Sequence, residues 1–193
     1  SKLVPGRDLN IVALPPSQMN SCLASGYLDG YCVGEPFNTQ AIDEGLGRIL
    51  ATSAELVPMH PEKALLVSRE FAERHSEGHQ ALTLALAKAC ALCDTKEGRL
   101  KAAEVLSQRG YLDLDRKLLD ASLGTDRHEF HLFHGEAVNC PSADKANWLV
   151  SEMRLAGMLD TLDRSKLPKV TEIFRADLYV GAASTPLQLA VAK

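Results

Sequence analysis

Three short stretches carry the side chains best placed to recognise a ligand. In Ala13-Leu14-Pro15-Pro16-Ser17-Gln18-Met19 a β-rich run meets a Pro-Pro corner and then a helical pattern. A helix starting there points unpaired backbone N–H groups outward, which suits an anion. Gln18 falls in its first turn, and its amide can donate to an oxyanion. The plainer reading is a stiffened corner with Gln18 in water. In Met59-His60-Pro61-Glu62-Lys63 the proline fixes the chain just after His60. An imidazole held in a loop donates to an anion most strongly when protonated; the plainer reading is a surface histidine. Gly34-Glu35-Pro36-Phe37-Asn38 follows a predicted strand, and ligands of parallel α/β sheets bind at that end. Glu35 can orient a donor, hold a cation or cap the next helix, and the residue types leave these alternatives open.

Other combinations point away from chemistry. His128, His131 and His134 recur at intervals of three. On a helix that spacing spreads the rings over roughly a third of the circumference. On a strand it puts His131 on the opposite face from the other two. Neither gives the convergent set a zinc ion needs, so no metal is expected. Cys90-Ala91-Leu92-Cys93 matches C-x-x-C but falls late in an apolar helix, whereas redox pairs open a helix; packing is the expected role. No G-x-S-x-G, P-loop or strand-borne G-x-G-x-x-G is present. Neither an enzyme nor a cofactor is expected.

The elements that would position these residues alternate at first. Leu9–Leu14, Tyr31–Val33, Arg48–Thr52 and Ala64–Ser68 have strand character. Helical patterns run over about Ser17–Ser25, from Pro36 to near Gly45 or Gly47, and over Arg69–His75. This rhythm predicts an α/β fold with a parallel or mixed sheet flanked by helices. Beyond residue 77 the pattern is mostly helical: a buried helix at Ala81–Cys93, then Gly98–Gln108, Asp115–Ser122, Trp148–Leu155 and a turn at Asp177–Ala183. Gly124–Asp144 reads as irregular, Pro168–Arg175 as extended or mixed, and the last ten residues as a tail. Residues 1–125 form the expected α/β lobe, and 126–193 a helical C-terminal region.

Composition bounds the rest. The chain has 193 residues, 46% hydrophobic and 24% charged, which allows one domain with a core. No apolar run has membrane-spanning length. The net charge of −4 comes without a basic patch, so nucleic-acid binding is not expected. An anion site here has to work through local donors, because the overall charge repels anions. Five cysteines at irregular spacing are no disulfide framework and lean towards a reducing compartment.

Three segments, VALPPSQM, GYLDGYCVGEPFN and HPEKALLVS, occur in this order at close spacing. Together they resemble the solute-binding proteins of the nitrate and bicarbonate family. FHGEAVNCPSADKANWLVSEMRLAG, from Phe133 to Gly157, is similar to that family's C-terminal region. The resemblance runs from about Leu9 to Tyr179. It implies a two-lobed clamp of the periplasmic-binding-protein type II kind, of which this chain is the second lobe plus the C-terminal region. The matching positions imply that Gln18 and His60 contact the anion. Family members that serve transport place a lysine shortly before the tryptophan of the late helix; Ala143 stands there, and Lys145, two residues on, is the candidate substitute. That departure, GYCVGEP and the free cysteines are more similar to a cytoplasmic subgroup that senses nitrate or nitrite and restrains an antitermination regulator. The resemblance thus implies a sensor, with a periplasmic component of an ABC permease as the alternative. Half a clamp is expected to bind nitrate weakly by itself.

Overall fold

The structure is a computed structural model that describes residues 3–4, 6–124, 131–160 and 169–183. Its helices begin where local chemistry permits. α1 (Pro16–Ala24) starts at the Pro-Pro corner, with Pro16 in the turn where a missing N–H costs nothing. α2 (Phe37–Asp43) follows Pro36, and α3 (Ser53–Leu56) is a single turn with no counterpart in the sequence reading. α4 (Arg69–Arg74) is capped by Ser68, whose hydroxyl accepts from the Phe71 N–H at 3.1 Å. α5 (Ser76–Cys93) and α6 (Lys96–Leu106) follow. α7 (Arg116–Leu123) starts at Asp115, which accepts from the Lys117 N–H at 2.7 Å. It ends on Gly124 at φ 63°, the left-handed position that favours glycine. α8 (Glu136–Asn139) occupies part of the stretch expected to be irregular. α9 (Ala143–Leu155) is capped by Ser142, which accepts from the Lys145 N–H at 3.3 Å. α10 (Val170–Ile173) and α11 (Ala176–Ala183) complete the order. The tail beyond residue 183 lies outside the described residues.

Two compact units result. One comprises residues 1–52 and 103–125. In it α1 packs on α2 and α2 on α7, with Ala41, Ala103 and Leu119 buried. Buried Asn20 joins two of these helices to a loop. Its amide donates to the Phe37 carbonyl at 3.3 Å, and it accepts from the Tyr31 hydroxyl at 2.6 Å. The other unit comprises residues 53–102 and 126–193, so 53–102 clusters with the C-terminal region. There α4 and α11 pack on α5, and α10 on α9, and Ala146, Leu159 and Arg99 are buried.

The expected sheet is not formed among the described residues. The four β-like runs form no ladder, and Leu9 alone makes an isolated bridge. Their apolar residues face outward: Ile11 is 74% exposed, and Leu50 and Leu66 are each 85% exposed. Branched and aromatic residues fit a strand only when a second backbone supplies the hydrogen bonds, and no described segment does so. The helix expected to be buried at Ala81–Cys93 also differs. It starts at Ser76, and among its residues only His79 is buried. α4 and α11 cover part of its circumference, which leaves Leu82, Leu86 and Leu92 exposed.

Candidate functional site

His60 sits in the loop after α3, and two contacts fix its ring. Its Nδ1 lies 2.7 Å from the Val57 carbonyl oxygen. A carbonyl oxygen only accepts, so the contact places a proton on Nδ1. The His60 ring centroid is 6.5 Å from that of Trp148 on α9, at an interplanar angle of 53°. The bend that presents the ring includes Met59, whose φ of 61° is unusual for a side chain of its kind.

Glu62 follows on the same loop, paired with Lys63. The hydrogen bond from Lys63 holds its carboxyl below the usual range against the opposing effect of burial, and His131 and His60 pull the same way. One carboxylate therefore lies within electrostatic reach of two imidazoles. The backbone of His131 is pinned by Arg99, whose Nη2 donates to its carbonyl at 2.8 Å. The His131 ring stacks on Phe133 at 5.8 Å and 28°. His134 is exposed, and His128 lies outside the described residues. No group of three or more metal-ligating side chains is present among the described residues.

Lys145 lies one turn before Trp148 on α9, but its ammonium turns back towards the start of the helix. It donates to the Val138 carbonyl at 2.7 Å and to that of Cys140 at 2.9 Å. Burial lowers its pKa, opposed by Cys140. Lys145 joins Glu136, Ala137, Cys140 and Ser142 around an open pocket of about 450 Å³. Lys145 thus ties together the turn between α8 and α9 and lines the pocket.

Gln18 and Glu35 belong to the other unit. Gln18 is exposed in the first turn of α1, where its N–H donates to the Pro15 carbonyl at 2.9 Å. Glu35 accepts from the Thr39 N–H at 3.1 Å and so caps the first turn of α2. Of the roles left open for it, capping is the one its geometry displays. Sequence reasoning passed over Trp148 and Glu62 as site residues. The available signals were that Trp148 is the sole tryptophan in the chain and that Glu62 lies inside the His60 motif.

Burial raises the Cys90 and Cys93 thiols, and each residue is half-buried on α5. All five cysteines are free.

The fold is similar to part of a periplasmic-binding-protein fold. It matches the crystal structure of the periplasmic nitrate-binding protein NrtA from Synechocystis with a TM-score of 0.83 and 25% identity, over 93% of this chain and 50% of that one. The chain belongs to the NMT1-like family, which matches residues 2–107.

Curated relatives agree with this class. The nitrate/nitrite binding protein NrtA of Synechococcus elongatus is 32% identical over 190 residues, 93% of this chain and 43% of that protein. The nitrate import ATP-binding protein NrtC of Synechocystis is 30% identical over 186 residues, 91% of this chain and 28% of that protein. The bicarbonate transport ATP-binding protein CmpC of Synechocystis is 36% identical over 158 residues, 77% of this chain and 24% of that protein. The chain therefore spans less than half the length of each of these relatives. It has no P-loop, so what it shares with the two ATP-binding proteins is not that nucleotide motif. Among the described residues no helix is long and apolar enough to cross a membrane.

Proposed function

We propose that this chain forms part of the anion-recognition element of an ABC importer for nitrate, nitrite or bicarbonate. It acts by binding, not catalysis, outside the cytoplasm, and a permease is its partner. The observation that carries the reading is the His60 loop: an imidazole oriented by a backbone carbonyl and set beside Trp148, in a chain of the NMT1-like family. Two of the relatives named above are import or transport ATP-binding proteins, which favours the permease over the antitermination regulator expected from the sequence. In this reading the His60 imidazole and the Gln18 amide donate to the anion. Lys145 supplies positive charge nearby and orders the start of α9, and Glu35 secures α2.

Nitrate titrated into the chain tests this by nuclear magnetic resonance. The His60 ring and Gln18 side-chain signals are expected to shift with nitrate and not with chloride, and His60→Ala is expected to abolish the response. Equal responses to nitrate and chloride, or none at either residue, would sink the reading.

A further inference from the structure

The hydrogen bond at His60 restricts what the ring can offer a ligand. With Nδ1–H committed to the Val57 carbonyl at 2.7 Å, a neutral ring has only a lone pair at Nε2. The Nε2 of a neutral His60 is an acceptor and becomes a donor only when the ring takes up a second proton. Nitrate has three acceptor oxygens and no hydrogen, so it meets a donor at the imidazolium and a repelling lone pair at the neutral ring. Bicarbonate carries one hydroxyl, which can donate to that lone pair.

We infer that His60 selects among oxyanions by its own proton: the imidazolium takes nitrate, and the neutral ring takes an oxyanion that brings a hydroxyl, such as bicarbonate. The inference rests on the proposal that His60 meets the anion. The charged surroundings bear on the balance. From its own loop the ring has Glu62 and Lys63, whose charges oppose each other. The segment after residue 130 contributes His131, which acts on the Glu62 carboxylate through its charge. α9 contributes Asp144, Lys145 and Glu152, each within one turn of Trp148, and the Lys145 ammonium is drawn to the Val138 and Cys140 carbonyls. α3 contributes Glu55, two residues before Val57.

The test is a titration of the labelled chain at about pH 6 and about pH 8, on either side of ordinary histidine ionisation, followed at the His60 ring signals. Nitrate is used at both values, bicarbonate at the higher, and chloride as the control. The apparent affinity for nitrate is expected to fall about tenfold or more between the two, since one proton must be taken up for each anion bound. Bicarbonate is expected still to shift the signals at the higher value. His60→Gln, followed at the Trp148 ring signals beside position 60, retains an amide donor that does not titrate, and its nitrate affinity is expected to be flat with pH. Nitrate binding of equal strength at both values in the parent chain overturns the inference and leaves the proposed function standing. No anion response at His60 at either value removes both.

Discussion

The guanidinium of Arg99 lies 5.3 Å from the centroid of the Phe133 ring, and its Nη2 donates to the His131 carbonyl at 2.8 Å. Its Nε donates to the Cys93 carbonyl at 3.0 Å. Arg99 is 1% exposed, so these bonds are made away from water. One side chain therefore ties the end of α5 to the segment that carries His131 and Phe133. Arg99→Met removes the charge and the fork together and takes one donor each from the half-buried Cys93 and His131 carbonyls. It is expected to lower stability by about 3 kcal/mol or more, since hydrogen bonds to a charged group contribute about 1.5–3 kcal/mol each. Arg99→Lys is expected to fall between the two, because an ammonium cannot copy the planar fork. Urea unfolding of the three chains checks this, and a loss below about 1 kcal/mol for Arg99→Met would contradict the clamp.

Two helical glycines are expected to respond in opposite directions. A Cβ built on Gly98 in α6 would lie 1.8 Å from the Leu92 carbonyl oxygen, so the backbone itself would have to move. On Gly78 in α5 the nearest atom is the His75 Cβ at 3.8 Å, an ordinary contact. Alanine in place of glycine gains up to about 1 kcal/mol in a helix interior. Forcing a group into filled space costs about 1–3 kcal/mol or more. Gly78→Ala is therefore expected to raise the thermal midpoint and Gly98→Ala to lower it, as calorimetry can show. A stabilised Gly98→Ala would mean that α5 and α6 do not approach each other this closely.

The contrast with the sequence reading follows from range. α4 and α7 were legible because Ser68, Asp115 and Gly124 act within their own turn, whereas α9 was read only from Trp148 although Ser142 caps it earlier. The four β-like runs misled because a strand is defined by a partner, and composition at Ile11 or Leu50 carries no information on whether one is present. The same limit applies to α5, where apolar residues on several faces read as burial although only part of the helix is covered. At the site, the His60 motif was legible as a family resemblance. Its hydrogen bond to Val57 and the approach of Trp148 are tertiary facts, the second spanning most of a hundred residues of chain. Glu35 shows the reverse case: its place before Pro36 read as ligand or cap, and a bond of four residues' reach displays the cap.

The thiols of α5 give a pH signature. Burial raises both Cys90 and Cys93; Cys90 also raises its neighbour, and Arg99 opposes. A raised acid holds its proton longer in the folded chain than in the unfolded one. The stability this contributes is complete below the unfolded thiol range and is lost as pH rises through the folded one. Stability is expected to decline on the alkaline side, and less so in Cys90→Ala. At neutral pH a thiol reagent is expected to label exposed Cys32 well before Cys90 or Cys93, as site-resolved mass spectrometry can show. Equal labelling rates would mean that α5 opens readily.

The affinity of the isolated chain follows from how many donors it can bring to an anion. Nitrate is planar and weakly basic, and tight binding needs several convergent donors in a site closed to water. The chain spans 50% of the solved nitrate-binding protein it matches, so in the clamp reading part of the donor set lies beyond it. Loss of two charged hydrogen bonds at about 1.5–3 kcal/mol each removes several powers of ten in affinity. Titration calorimetry on the 193-residue chain is accordingly expected to give millimolar or weaker binding of nitrate. A micromolar constant would show that the donors of this chain form a complete site on their own, with no second lobe required to close it.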